Sequence, residues 1–150
     1  MKTRFLSISA ACLAILLTTA CVKTNTQSQV ILPSGNFVGT FTRLHLNTNT
    51  NKVDTVTANL TLTMSATSGF AIGGDTSKHA ASHGSYVIDS GGTYIAFSDF
   101  TLPSTASSVA TTPTKTHLNG VYQYAYSQGV SLQMQAIGDT LAYYYNMKAQ

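Results

Sequence analysis

At 150 residues the chain is long enough for one domain and short for two, and only 9% of its residues are charged. It has no Glu and no Trp, and its five acids are Asp54, Asp75, Asp89, Asp99 and Asp139. The formal charge of +3 falls close to neutral once Lys2 and Arg4 are set aside; the six bases that remain of eight are scattered singly. Phosphate recognition needs clustered Lys and Arg, so nucleic acid is not an expected partner.

The chain opens on a positive segment, Met1–Arg4, and an apolar run, Phe5–Leu17. That run is shorter than the ~20 residues of a membrane-spanning helix and matches the apolar region of a secretory signal. The following Leu17-Thr-Thr-Ala-Cys21 is similar to a lipobox, the cleavage site of bacterial lipoprotein signal peptides. The resemblance implies that residues 1–20 are removed and that Cys21 is acylated. Cysteine usage agrees: the second cysteine, Cys12, lies inside the apolar run, so Cys21 has no disulfide partner in the mature chain. Each buried acyl CH₂ contributes about 0.8 kcal/mol, so several chains anchor stably where one does not. Val22 stands where some lipoproteins carry an Asp that retains them at the inner membrane, which implies a lipid-anchored envelope protein of the outer membrane. Residues 21–35 read as the acylated start and a flexible polar tether, Val22–Ser34, containing Pro33.

Residues 36–150 read as one all-β domain, because no stretch carries a 3.6-residue apolar period. Eight β-rich runs, 36–47, 53–64, 70–73, 84–90, 93–100, 118–126, 130–137 and 140–148, alternate with Gly, Asn, Asp and Ser. Opposed residues of a hairpin must share a face. A Gly91-Gly92 turn meets this by setting Ile88 opposite Ile95 and Tyr86 opposite Phe97. A three-residue loop, Ser127-Gln128-Gly129, sets Tyr126, Tyr124 and Tyr122 opposite Val130, Leu132 and Met134. A Gly138-Asp139 turn then sets Leu132 opposite Tyr145 and Met134 opposite Tyr143. The first hairpin is less regular: Phe37 and Phe41 have one parity, Val38, Leu44 and Leu46 the other, and a bulge near Thr42 reconciles them. Eight antiparallel strands with one apolar face predict an up-and-down meander closing into a small barrel. The long connection Thr101–His117 is a lid over one barrel end or a loop without a role.

The opening Gly35-Asn-Phe-Val-Gly-Thr-Phe41 is similar to the Gly-x-Trp start of lipocalins, with Phe37 in place of the Trp. With the meander and the aromatic closing strand Leu141-Ala-Tyr-Tyr-Tyr-Asn-Met147, the domain resembles the small lipocalin-like, calycin-type barrels of bacterial lipoproteins. That resemblance implies a non-catalytic module binding a small hydrophobic ligand. Parity places Tyr122, Tyr124, Tyr126, Tyr143 and Tyr145 on one face with Leu132 and Met134. Phenol rings offer apolar area with a polar tip, suited to lining such a cavity or simply to filling the barrel. Tyr144, on the other parity, is expected on the outer face, open to a protein partner in an interaction or structural role.

Catalytic patterns are weak. There is no Gly-x-Ser-x-Gly elbow, and Asp89 and Asp99 fall on opposite faces of neighbouring strands, so they do not form a carboxylate pair. His79 and His83 have the spacing of zinc ligands on a helix, with Asp75 or Asp89 as a third donor, but the segment lies between strands and lacks a Glu base. They read as solvated loop histidines, and His45 and His117 as ordinary strand or turn residues. No metal and no cofactor is expected.

Overall fold

The computed structural model describes residues 30–102 and 115–150, and every regular element among them is a β-strand. The strands are β1 (Gly35–Asn47), β2 (Lys52–Ser65), β3 (Gly69–Gly74), β4 (Ser82–Ile88), β5 (Tyr94–Asp99), β6 (Gly120–Ser127), β7 (Ser131–Ile137) and β8 (Leu141–Ala149). Each pairs antiparallel with the next and β8 returns to β1, closing a barrel without crossovers. These are the eight runs expected from the sequence, in the same order.

Period-two patterning explains the closure. Along β2, Ala58, Leu60, Leu62 and Met64 are buried while Thr57, Asn59, Thr61 and Thr63 between them are exposed. Closing the sheet gathers such rows into one core: Phe37 and Phe41 from β1, Phe70 and Ile72 from β3, Ile95 and Phe97 from β5, Leu132 and Met134 from β7. Each fully buried Leu or Phe stabilises by about 1.5–3 kcal/mol relative to exposure. The interior is apolar and the outer wall rich in Thr, the reverse of a membrane-spanning barrel.

The registers correct the sequence expectations in detail. No bulge interrupts the first hairpin, which runs unbroken from Gly35 opposite Met64 to Asn47 opposite Lys52. Phe37 and Phe41 therefore point in, while Val38 and Leu44 lie half-buried on the outside. The Gly91-Gly92 hairpin is as expected, with Ile88 opposite Ile95 and Tyr86 opposite Phe97. Asp89 braces it by accepting the N–H groups of Thr93 at 2.8 Å and Tyr94 at 2.7 Å. The last two hairpins are each displaced by two residues. Tyr126 faces Leu132 and Tyr124 faces Met134, so the loop is Gln128-Gly129-Val130, with Gly129 at φ 67°. Met134 then faces Tyr145 and Leu132 faces Met147, and Gly138 N–H donates to Leu141 O at 2.8 Å across a turn centred on Asp139-Thr140. A two-residue slip leaves every side chain on its original face, so periodicity cannot detect it.

Both barrel ends are filled. At the end where β1 begins, Pro33 is buried, and the Tyr86 hydroxyl donates to its carbonyl at 2.7 Å. Tyr126 does the same to Ser34 O at 3.5 Å. Pro33 and Ser34, placed in the tether by sequence, are thus seated on the barrel; Cys21 and residues 1–29 lie outside the described residues. At the opposite end His79, Ala80 and Leu118 are buried over the core. Of the connection Thr101–His117, residues 103–114 lie outside the described residues, so the lid expectation does too.

Gly84 is a place where β4 and β5 approach too closely for a side chain. A Cβ there would sit 1.8 Å from the Ser98 carbonyl oxygen and 2.9 Å from the Phe70 ring. We expect Gly84→Ala to cost about 1–3 kcal/mol in urea unfolding, as overpacking does. Gly138→Ala, whose nearest contact is an ordinary 3.5 Å, should stay within about 0.5 kcal/mol of the parent.

Candidate functional site

The barrel interior is a continuous series of aromatic rings. Phe70 meets Phe97 edge-on at 5.1 Å, Phe97 meets Tyr122 at 5.9 Å, and Tyr122 meets Tyr145 at 5.6 Å. Tyr145 then lies 5.0 Å from Phe41, whose face receives the edge of His79 at 4.9 Å. Edge-to-face packing at these separations contributes beyond area burial. Of the seven cavity candidates from sequence, Tyr122, Tyr145, Leu132 and Met134 are fully buried in this core. Tyr124, Tyr126 and Tyr143 are partly buried at its margins. The seven do share one face, and they fill it.

Two polar clusters sit at the end closed by Leu118. His79, wholly buried, has Nδ1 at 2.8 Å from Ala80 O and Nε2 at 2.9 Å from the Tyr145 hydroxyl. A ring flanked by a carbonyl, which can only accept, carries its proton on Nδ1, so Tyr145 donates to Nε2. Burial depresses the proton affinity of His79 below the ordinary 6.5, holding the ring neutral. Burial pushes the Tyr122 hydroxyl up to about 12 and Tyr145 well above its usual range, so both phenols keep their protons. The second cluster is Asp99, whose carboxylate accepts from the Thr101 hydroxyl at 2.6 Å and Thr101 N–H at 2.7 Å and lies 2.8 Å from His117 Nδ1. Burial alone would raise the Asp99 carboxyl, but the bonds from Thr101 and His117 outweigh it and hold it low. This clasp ties the two ends of the long connection together, and a parallel bridge between His79 and Thr116 adds a second tie.

His79 departs from the sequence expectation, being buried and not a solvated loop residue, whereas His117, expected as an ordinary strand or turn residue, lies just before β6 and is bonded to Asp99. His83 sits on the outward face of β4 and is exposed, beside Phe100, so the two residues of the zinc-like spacing do not converge. No group of three or more metal-ligand side chains converges among the described residues. Nothing in the composition of residues 75–83 marks His79 for burial; its position follows from the Asn59–Asp75 and Ala80–Thr116 backbone bonds that fold the loop inward.

Among the described residues several neighbouring strands stop pairing short of their ends, and one of these places, between β6 and β7, is lined by apolar side chains. Pairing between β6 and β7 stops at Gln123 opposite Gln135, although β6 begins at Gly120 and β7 continues to Ile137. On β6, Tyr124 N–H donates to Thr93 O at 3.1 Å on the β5 side, so by strand alternation the N–H and C=O of Val121 point toward β7. On β7, Gly138 N–H turns to Leu141, so those of Ile137 point toward β6. Among the described residues the two edges therefore face each other unpaired across a cleft of about 500 Å³. Its rim carries Tyr94, Val121 and Ile137, exposed at 49%, 61% and 65%. Deeper it reaches Ala136, Leu141 and Tyr143, and none of its lining side chains is charged. Tyr144 is on the outer face as expected, half-buried in a neighbouring groove between Thr42, Gln133 and Gln135. Sequence parity assigned Tyr143 correctly, but Tyr94, Val121 and Ile137 passed unnoticed, because only the broken register brings them together.

The histidine cluster gives a stability profile with a defined sign. The unfolded chain protonates His79 more readily than the folded one, so its contribution is complete above pH 6.5 and is lost progressively as pH falls below it. A further loss follows as pH falls through 3.8, where the unfolded chain takes up protons that folded Asp99 resists. Urea midpoints measured across this range should show both steps, and His79→Gln should flatten the first. At neutral pH Tyr145→Phe, which strands His79 Nε2 without a donor, should cost about 1–3 kcal/mol.

Comparison with protein-family models, with curated proteins and with solved structures gives no match. What the molecule shows by itself is an all-β, eight-stranded antiparallel meander closed into a small barrel.

Proposed function

We propose that the protein is a lipid-anchored, non-catalytic module of the cell envelope that meets a protein partner on its outer wall, at the break between β6 and β7. On this reading the barrel is lipocalin-like in strand order and opening sequence, with its interior given over to packing. The observation that carries it is the filled core: the side chains best suited to hold a ligand, Tyr122, Tyr145, Leu132 and Met134, are buried against one another. The apolar side chains left over gather instead on the outside, where Val87, Ala96 and Val121 stand side by side on β4, β5 and β6, flanked by Tyr94 and Ile137. Exposed apolar groups clustered in this way are the usual mark of an interaction surface.

The anchor rests on the lipobox-like Leu17–Cys21, and its placement suits the wall site. Chain enters the barrel at the end where Pro33 is seated, whereas the cleft opens toward the end carrying the Gly138–Leu141 turn. A surface tethered at one end and docking near the other keeps its partner clear of the bilayer.

A small apolar ligand is the second reading, favoured by one observation. The cleft reaches the inward-facing Ala136 and Tyr143, and its size lies within the ~300–1,000 Å³ of ligand pockets.

Two measurements test the proposal. Radiolabelled palmitate should enter the mature chain in cells and be lost with Cys21→Ser, releasing the protein from the membrane fraction; an unlabelled, soluble parent contradicts the anchor. A photo-crosslinking side chain placed at position 121 or 137 should give an adduct of one defined mass in intact cells, and the same group at exposed Thr61 on the far wall should give none. Equal adducts at all three positions, or an apolar small molecule released on denaturing the purified protein, would contradict the wall reading.

A further inference from the structure

We propose that the break between β6 and β7 is a strand-addition site that takes an extended, uncharged polypeptide segment, and this rests on the outer-wall reading above. A purely apolar patch would be indifferent to the chemistry of what covers it. This one is not, because among the described residues the N–H and C=O of Val121 on one side and of Ile137 on the other stand in strands without a partner across the cleft. Paired donor and acceptor groups on one residue are complemented by the same pair on another extended backbone, and few other molecules present them at that spacing. The β6 edge is the stronger template: Val121 and Tyr122 are held by pairing to Ala96 and Ile95 of β5.

A segment lying along Val121 alternates its side chains between two surfaces. One set falls on the outer patch with Tyr94 and Val121, the next on Ala136, Leu141 and Tyr143 in the cleft. Both surfaces are uncharged, so a Lys or Asp at either position loses hydration without a counter-charge. The wanted partner is therefore three or four residues of extended chain with small or apolar side chains and no charge. Gln123 and Gln135, joined by a 2.9 Å bond between their side chains, close the cleft on the side where pairing resumes and limit how far the added strand can run.

The test uses the full mature chain in detergent micelles and two probes. The first is an acetylated, amidated hexapeptide alternating valine with threonine; the second is the same peptide N-methylated at every other amide, which keeps the side chains and removes alternate backbone donors. Titration followed by ¹⁵N chemical shifts should move Val121 and Ile137 with the first peptide, and affinity should fall at least about tenfold with the second. Val121→Lys, at an exposed position that tolerates charge, should abolish binding while leaving the urea midpoint within about 0.5 kcal/mol of the parent. Equal affinity for the two peptides would overturn strand addition while leaving an apolar wall contact standing. Dimerisation without peptide, with the Val121 and Ile137 signals shifting on dilution, would identify a second copy as the occupant and overturn the peptide assignment. Failure of both peptides to bind would overturn strand addition. If position 121 also gives no adduct in cells, the wall reading falls with it.

Discussion

The whole molecule depends on one steric regularity: successive side chains of an extended strand point to opposite sides, and all eight strands turn a row of bulky apolar side chains to the same one. A flat sheet so patterned would leave an oily face in water and two ragged edges. Curling it until β8 meets β1 removes both problems at once. The rings of Phe70, Phe97, Tyr122 and Tyr145 then meet edge to face across the interior, and Phe41 meets Tyr145 at a tilt.

That filling has a consequence for function. A barrel that holds a ligand keeps small side chains or open space along its axis; this one places phenols there. Their hydroxyls are not left for a guest, since Tyr145 donates to His79, Tyr122 to Asn119 O, and Tyr86 and Tyr126 to the incoming segment at Pro33 and Ser34. On the proposed reading recognition moves to the outer wall, at the cleft where β6 and β7 part. The same end carries the clasp between Asp99 and His117, so that clasp and the break in the wall lie at one end of the barrel.

Strand number, order and facing were legible in the residues because burial has a period of two and the turns are punctuated by glycine. The Gly91-Gly92 hairpin was legible even in register, since Asp89 and two glycines leave few ways to turn. At Gln128–Val130 and Asp139–Thr140 the alternatives differ by two residues and bury the same faces, so turn chemistry alone had to decide between them, and the sequence signal there is too weak. The bulge near Thr42 was unnecessary because Val38 and Leu44 are tolerated on the outside, half-covered by neighbours. The burial of His79 escaped notice for a different reason: a loop residue is buried by the path of the backbone around it, which no local pattern records. The wall cleft was hidden more deeply still, since it consists of pairs that fail to form.

The most direct measurement of this account is amide hydrogen exchange on the purified protein, residue by residue and without added ligand. The account requires Gln123, Gln135 and Tyr122 to exchange slowly, held by pairing to β7, β6 and β5, while Val121 and Ile137 between and beside them exchange nearly as freely as unstructured chain. Val121 and Ile137 protected as well as Gln123 would mean that the wall is closed there, and would contradict the account at its centre.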